Sequence, residues 1–158
     1  MNVAAQIFAP VRIEDVAELA ALMQQAFPQA YGEGWSAAQL RGVLSLPQVG
    51  GERLLQDDKL VGFSLFRQVA DEAELLLVAV LPALRGQGLG RQLVDRVATA
   101  ALAGGAASLF LEVRDGNQAA QRLYGHMGFA PIGQRKAYYR GADGQPHDAV
   151  TMRLDLRK

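Results

Sequence analysis

Residues 74–91, ELLLVAVLPALRGQGLGR, constrain this chain more than any other stretch. An apolar run ends at Pro82, a turn carrying Gly86, Gly88 and Gly90 follows, and a helix-like pattern begins at once. The unbroken apolar run over 73–81 predicts a strand buried on both faces, and therefore a sheet with helices packed on it. A buried strand that runs through a glycine-rich turn into a helix start can hold an anionic group on backbone N–H donors, or its glycines can simply end the strand and let the helix pack closely. Arg85 and Arg91 edge the turn, with no Lys-Ser or Lys-Thr pair.

Two familiar anion sites do not fit. A dinucleotide site needs the full Gly-x-Gly-x-x-Gly pattern and a second strand ending in an acidic residue for the ribose. A nucleotide-binding P-loop needs its phosphate-binding Lys. Composition removes other classes. There is no Cys, so thiolate catalysis and cysteine metal sites are excluded, and the two His, at 126 and 147, are too far apart in sequence to suggest a metal centre. The formal net charge is zero, which argues against general nucleic-acid binding. The longest apolar run is too short to span a bilayer, and the opening MNVAAQIFAP lacks the pattern of a secretory signal. A soluble, cytoplasmic protein with one domain over 1–158 is the expectation.

The remaining elements follow from periodicity and punctuation. Residues 14–27 read as a helix, with Val16, Leu19, Ala20, Met23 and Phe27 at helical spacing. Ser36 and Gln39 form a capping box before a second short helix through Leu40, Val43 and Leu44. Residues 53–56 and 60–69 read as strands joined at Asp57-Asp58. A helix over 90–102 stops at Gly104-Gly105, and 108–114 is the next strand. Asn117 caps a helix to Met127, ended by Gly128. A final hairpin, from Phe129 and over 147–156, turns around 141–144. The sum is a mixed α/β sheet flanked by helices.

The glycine turn and the motifs after it together resemble the GCN5-related N-acetyltransferase (GNAT) superfamily. Arg85-x-x-Gly88-x-Gly90 fits its Gln/Arg-x-x-Gly-x-Gly/Ala pattern, and Leu111-Glu112-Val113-Arg114, Asn117, Leu123-Tyr124 and Gly128-Phe129 follow at its spacing. Arg135, Tyr138-Tyr139, Asp148-Ala149 and Met152 resemble, more narrowly, the bacterial RimI-type N-terminal acetyltransferases, which act on the N-terminal alanine of a small ribosomal-subunit protein. The resemblance covers residues 63–154 closely and the first helix and Trp35-Ser36 more loosely. It implies the GNAT fold, with a central, mostly antiparallel sheet, and acetyl-CoA as co-substrate without a metal.

The resemblance also assigns roles. The N–H groups of Gly86, Gln87, Gly88, Leu89, Gly90 and Arg91, with Arg85 beside them, would hold the pyrophosphate on the positive end of the following helix. Val78, Ala79 and Val80 would pair their main chain with the pantetheine arm, and one of their N–H groups would polarise the acetyl carbonyl. Asn117 would cap its helix and contact the same arm. Glu112 would be the general base, and Tyr124 would protonate the leaving thiolate. Trp35, Tyr138 and Tyr139 would grip the acceptor peptide.

Each residue has a plainer reading too. Glu112 could be a strand residue paired with an Arg, Tyr124 a core aromatic, and the two adjacent Tyr an edge strand with its side chains on opposite faces. The amine itself favours the N-terminal reading. An α-amino group with a pKa near 8 is roughly a tenth neutral at pH 7, whereas a lysine near 10.4 is neutral about once in several thousand. A Glu base, raised toward the working pH by partial burial, suits the former. Acetylation of a lysine or a small-molecule amine is the alternative, and an acyl-CoA-sensing module the non-enzymatic one. The expected partners are acetyl-CoA and a protein N-terminus, with no nucleic acid or membrane, in a monomer or weak dimer. One departure stands out: RimI-type sequences tend to run from the first helix directly into Phe-Pro-Trp-Ser, whereas here residues 29–34 separate Phe27-Pro28 from Trp35-Ser36. That segment is expected beside the peptide entrance.

Overall fold

A computed structural model describes residues 5–157. The first four residues of the stretch read as lacking a secretory signal lie outside the described residues. The next residues form a strand that periodicity did not reveal, β1 (Gln6–Pro10). A single 3-10 turn at Ile13–Asp15 leads into α1 (Val16–Ala26), and α2 (Ala37–Leu44) follows. A two-residue strand, β2 (Val49–Gly50), precedes β3 (Glu52–Gln56), β4 (Lys59–Val69) and β5 (Glu72–Val80). Then come α3 (Leu89–Ala103), β6 (Ser108–Arg114), α4 (Gln118–His126), β7 (Ala130–Arg140) and β8 (Pro146–Asp155).

The local signals operate as read. Ser36 Oγ accepts from the Gln39 N–H at 3.1 Å, and Gln39 Oε1 accepts from the Ser36 N–H at 2.8 Å, closing the capping box. Asn117 Oδ1 accepts from the Ala120 N–H at 3.2 Å. Asp57 and Asp58 both take left-handed φ, 49° and 65°, so β3 and β4 meet in a two-residue hairpin whose twist matches the strands.

The sheet order is β1-β3-β4-β5-β6-β8-β7, with β2 beside β4, and among the described residues only the β5–β6 pair is parallel. The result is a mostly antiparallel sheet with helices on both faces, the architecture the resemblance implies. On one face α3 and α4 bury Val94, Val97 and Tyr124 against Leu109, Leu111 and Met152. On the other, α1 and α2 bury Leu19, Met23 and Leu40 against Phe63, Leu65 and Leu77.

The apolar run of β5 is more structured than continuous burial suggests. Leu65 pairs with Leu77 and Phe66 with Leu75, so Leu76 is an extra residue, a β-bulge. Ala73 and Leu75, before the bulge, join the α3 core, and Leu77 and Ala79, after it, join the α1 core. The bulge reverses which parity faces which helix layer, and the sequence therefore reads as apolar throughout.

Candidate active site

The bulge also opens the sheet. β5 and β6 run in register from Glu72–Ser108 to Leu75–Leu111, and there their pairing stops. Beyond it, Leu77, Val78, Ala79 and Val80 stay bonded to β4 on one side, and Glu112, Val113 and Arg114 to β8 on the other. The two facing edges are left without strand partners, and between them lies a cavity of about 730 Å³. A strand edge with free N–H and C=O groups can take an extended amide chain as it would another strand.

At one end of this cleft sits the glycine turn. Gly86 and Gly88 hold φ of 82° and 81°, a region that residues with a Cβ rarely enter. Among the described residues, no backbone N–H from Gly86 to Arg91 donates to a protein acceptor. These donors lie at the N-terminus of α3, where the helix dipole adds positive potential. The turn therefore fits an anionic group such as a pyrophosphate. At Gly90 a Cβ would make only ordinary contacts, with Leu123 and Val80 side-chain atoms at 3.8 and 4.0 Å. The Arg85 guanidinium donates to the Ala26 carbonyl at the end of α1, which also suits the negative end of that helix. Arg91 is exposed and 3.9 Å from Asp95 one turn on.

Midway along the cleft, alternation in β6 turns Leu109, Leu111 and Val113 into the α3 core and leaves Glu112, its side chain mostly buried, on the opposite face. Its carboxylate has one hydrogen-bond donor and one ion-pair partner: Thr151 Oγ1 donates to Oε2 at 2.5 Å, and Arg135 Nε stands 3.2 Å from Oε1. Thr151 is directly opposite Glu112 across the β6–β8 pair. The plain reading, a Glu paired with an Arg, thus holds for the contact, and the carboxylate nonetheless lines the cavity.

Tyr124 combines its two readings as well. Its ring packs edge-on against Phe129, with centroids 5.6 Å apart, and it is buried in the α3–α4 core while lining the cavity. Burial, with a smaller contribution from the Glu33 carboxylate, pushes its phenol well above the ordinary tyrosine value.

The hairpin corrects one expectation. Tyr138 and Tyr139 do not point to opposite faces; their rings meet edge-on, with centroids 4.9 Å apart. Ala137 adopts φ of 53° and the β7–β8 register shifts between Arg135 and Tyr139, which breaks the two-residue alternation. Tyr139 Oη donates to the Glu112 carbonyl at 3.1 Å, tying the hairpin to the strand beneath it. Burial raises the Tyr138 and Tyr139 phenols too.

Every site residue expected from sequence lines this one cavity except Gln87, whose side chain is exposed. Trp35 reaches it from the start of α2 while packing on the α1 core. Two groups were not foreseen. Thr151 depends on strand register, which no local signal in the sequence carries. Glu33 comes from the segment between α1 and α2 and lines the cavity beside Arg114, whose Nε donates to its Oε1 at 2.9 Å.

His126 is exposed, and His147 packs edge-on against Tyr31 in the hairpin. Among the described residues no group of three His, Cys, Asp or Glu side chains could hold a metal ion, and no helix is long and apolar enough to cross a membrane.

Comparison with known proteins gives the same picture. The family model described as "Acetyltransferase (GNAT) family" matches residues 16–129. A ribosomal protein bS18-alanine N-acetyltransferase from Haemophilus ducreyi is 39% identical over 101 residues, 64% of this chain and 70% of that protein. Its counterpart from Escherichia coli is 39% identical over 104 residues, 66% of this chain and 70% of that protein. The crystal structure of the ribosomal-protein-S18-alanine N-acetyltransferase from Escherichia coli superposes with a TM-score of 0.85 at 31% identity, covering 98% of this chain and 96% of that one. With a family model matching most of its length and a superposition over nearly all of it, this chain belongs to the acetyltransferase (GNAT) family.

Proposed function

We propose that this protein transfers the acetyl group of acetyl-CoA to the free α-amine of a protein N-terminus, with the N-terminal alanine of a ribosomal protein as acceptor. As a GNAT member it is an acetyl-CoA-dependent N-acetyltransferase. One observation carries the choice of acceptor: the β7–β8 hairpin lies against the cleft, with Tyr139 bonded to the Glu112 carbonyl and Tyr138 edge-on against Tyr139. A cleft walled in this way leaves little depth for a long lysine stem to enter end-on. The relatives that act on the alanine of protein bS18 support the same acceptor.

In this reading the chain's residues divide the work. The N–H groups from Gly86 to Arg91 hold the pyrophosphate, and the free edge of Val78, Ala79 and Val80 aligns the pantetheine arm and polarises the acetyl carbonyl. Glu112, oriented by Thr151 and Arg135, takes the proton from the amine. The Tyr124 phenol, kept protonated by burial, gives its proton to the departing CoA sulfur. Asn117 fixes the start of α4 and hence the height of Tyr124. With no Cys in the chain, transfer is direct, from thioester to amine.

The deciding experiment sets an Ala-initiated peptide against the same peptide with a blocked N-terminus and one internal Lys. The free N-terminus is expected to win by at least tenfold in kcat/KM, about 1.4 kcal/mol of transition-state binding. Equal or faster acetylation of the blocked peptide overturns the N-terminal acceptor and favours a lysine acceptor.

A further inference from the structure

Residues 29–34 do more than lengthen a loop. They are stitched to the tip of the β7–β8 hairpin. The Ala142 N–H donates to the Gln29 carbonyl at 3.0 Å. A Cβ on Gly32 would overlap the Arg140 carbonyl, and one on Gly141 would overlap the Ala30 carbonyl, so two glycines let the segments touch backbone to backbone. Tyr31 is clamped between the Arg114 guanidinium, 3.6 Å from its ring centre, and the His147 ring. This fixed segment delivers Glu33 into the cleft, with its side chain only 10% exposed.

Glu33 is held by one oxygen. Oε1 accepts from Arg114, while Oε2 accepts nothing among the described residues and keeps some access to solvent, and the residue lines the cavity. A carboxylate rigidly anchored by one oxygen and open at the other is a receptor for a cationic donor. The cavity holds Tyr124, Tyr139 and Glu112 as well, and Glu33 influences both phenols. We infer that Glu33 is an acceptor-binding residue, whose Oε2 receives the α-ammonium of the incoming peptide and presents it to Glu112.

The inference rests on the N-terminal acceptor reading and adds to it a specific contact from the inserted segment. It divides two tasks between two carboxylates. Glu33 binds the charged form of the amine, which predominates at pH 7, and Glu112 removes its proton. It also selects against acceptors whose first side chain is acidic, since that charge would approach Glu33 and Glu112 together.

The groups facing Glu33 set its pH signature. Arg114 is the cation paired with it. Tyr124 and Tyr139 stay neutral, because burial raises both. Glu112 shares the cavity, and His147 meets Tyr31 rather than the carboxylate. The peptide amine, with a pKa near 8, is therefore the group whose charge governs this contact between pH 6.5 and 9.

The test is steady-state kinetics of Glu33→Gln on an Ala-initiated peptide at saturating acetyl-CoA across that range. At pH 7 the peptide KM is expected to rise at least tenfold, with kcat changed less and the acetyl-CoA KM unchanged. The ratio of variant to wild-type peptide KM should shrink above pH 8. Glu33→Asp, which keeps the charge with a shorter reach, should fall between the two. Should Glu33→Gln fail to fold, Glu33→Asp carries the same pH comparison.

If Glu33 only braces the loop through Arg114, Arg114→Gln will reproduce the defect and neither variant will depend on pH. That result, or an unchanged peptide KM, overturns the inference and leaves the N-terminal reading standing. Wild-type enzyme inactive on every free N-terminus overturns both.

Discussion

Glu112 shows how one residue can satisfy a structural role and a chemical one. Its contact with Arg135 is the ion pair a strand carboxylate would be expected to make, but the Arg side chain is 61% exposed and the Glu side chain 9%. The pair is therefore screened on one side and sheltered on the other, and it serves more to orient than to stabilise. Thr151 supplies a hydrogen bond to the same carboxylate from the neighbouring strand. Replacing Glu112 by Gln keeps the shape and removes the proton acceptor. Turnover is expected to fall by on the order of a hundredfold with acetyl-CoA affinity preserved. The loss should narrow as pH rises and more of the amine is neutral. A pH-independent defect in the rate profile would return Glu112 to the purely structural role. The sequence singled out this residue because an acid inside LFLEVR has no apolar reason to be there. It said nothing of Thr151, 39 positions away, because only pairing across the sheet makes them neighbours.

At the level of elements, the turn between β5 and α3 was legible almost completely. Gly86 and Gly88 are required by left-handed φ rather than by crowding, since a Cβ at either would meet nothing within 4 Å. That distinction makes a prediction. Gly88→Val should cost the turn its conformation and weaken acetyl-CoA binding at least tenfold, more than about 1.4 kcal/mol, while the core beneath stays packed. Calorimetric titration of the variant checks it, and unchanged affinity would remove the pyrophosphate assignment. Less legible were the elements whose pattern is interrupted. β1 was missed because Gln6–Pro10 is short and its burial does not alternate cleanly. The two tyrosines of β7 were read as alternating because nothing local announces a left-handed Ala137.

Across the whole molecule, the cleft requires phenols to be buried, and that burial links stability to pH. The Tyr124 and Tyr139 phenols are both raised from the usual value near 10, first by desolvation. Folding therefore favours their protonated forms. Above pH 10 the unfolded chain gives up these protons before the folded one does, so it binds fewer, and stability falls as pH rises. Each group can contribute at most about 1.4 kcal/mol for each pH unit in that window. Urea unfolding at pH 9 and pH 11 should show a smaller drop for Tyr124→Phe than for the wild type. Identical drops would mean that Tyr124 ionises as freely in the fold as out of it. The sequence by itself determined the helices, most of the strands, the anion turn and the family, because periodicity, caps and glycine positions act over a few residues. Only the tertiary structure decided the parting of β5 from β6, the meeting of Thr151 with Glu112, and the docking of residues 29–34 on the hairpin that brings Glu33 into the cleft. Those depend on a bulge, a strand register and a backbone-to-backbone contact, and each is settled by packing between residues far apart in the chain.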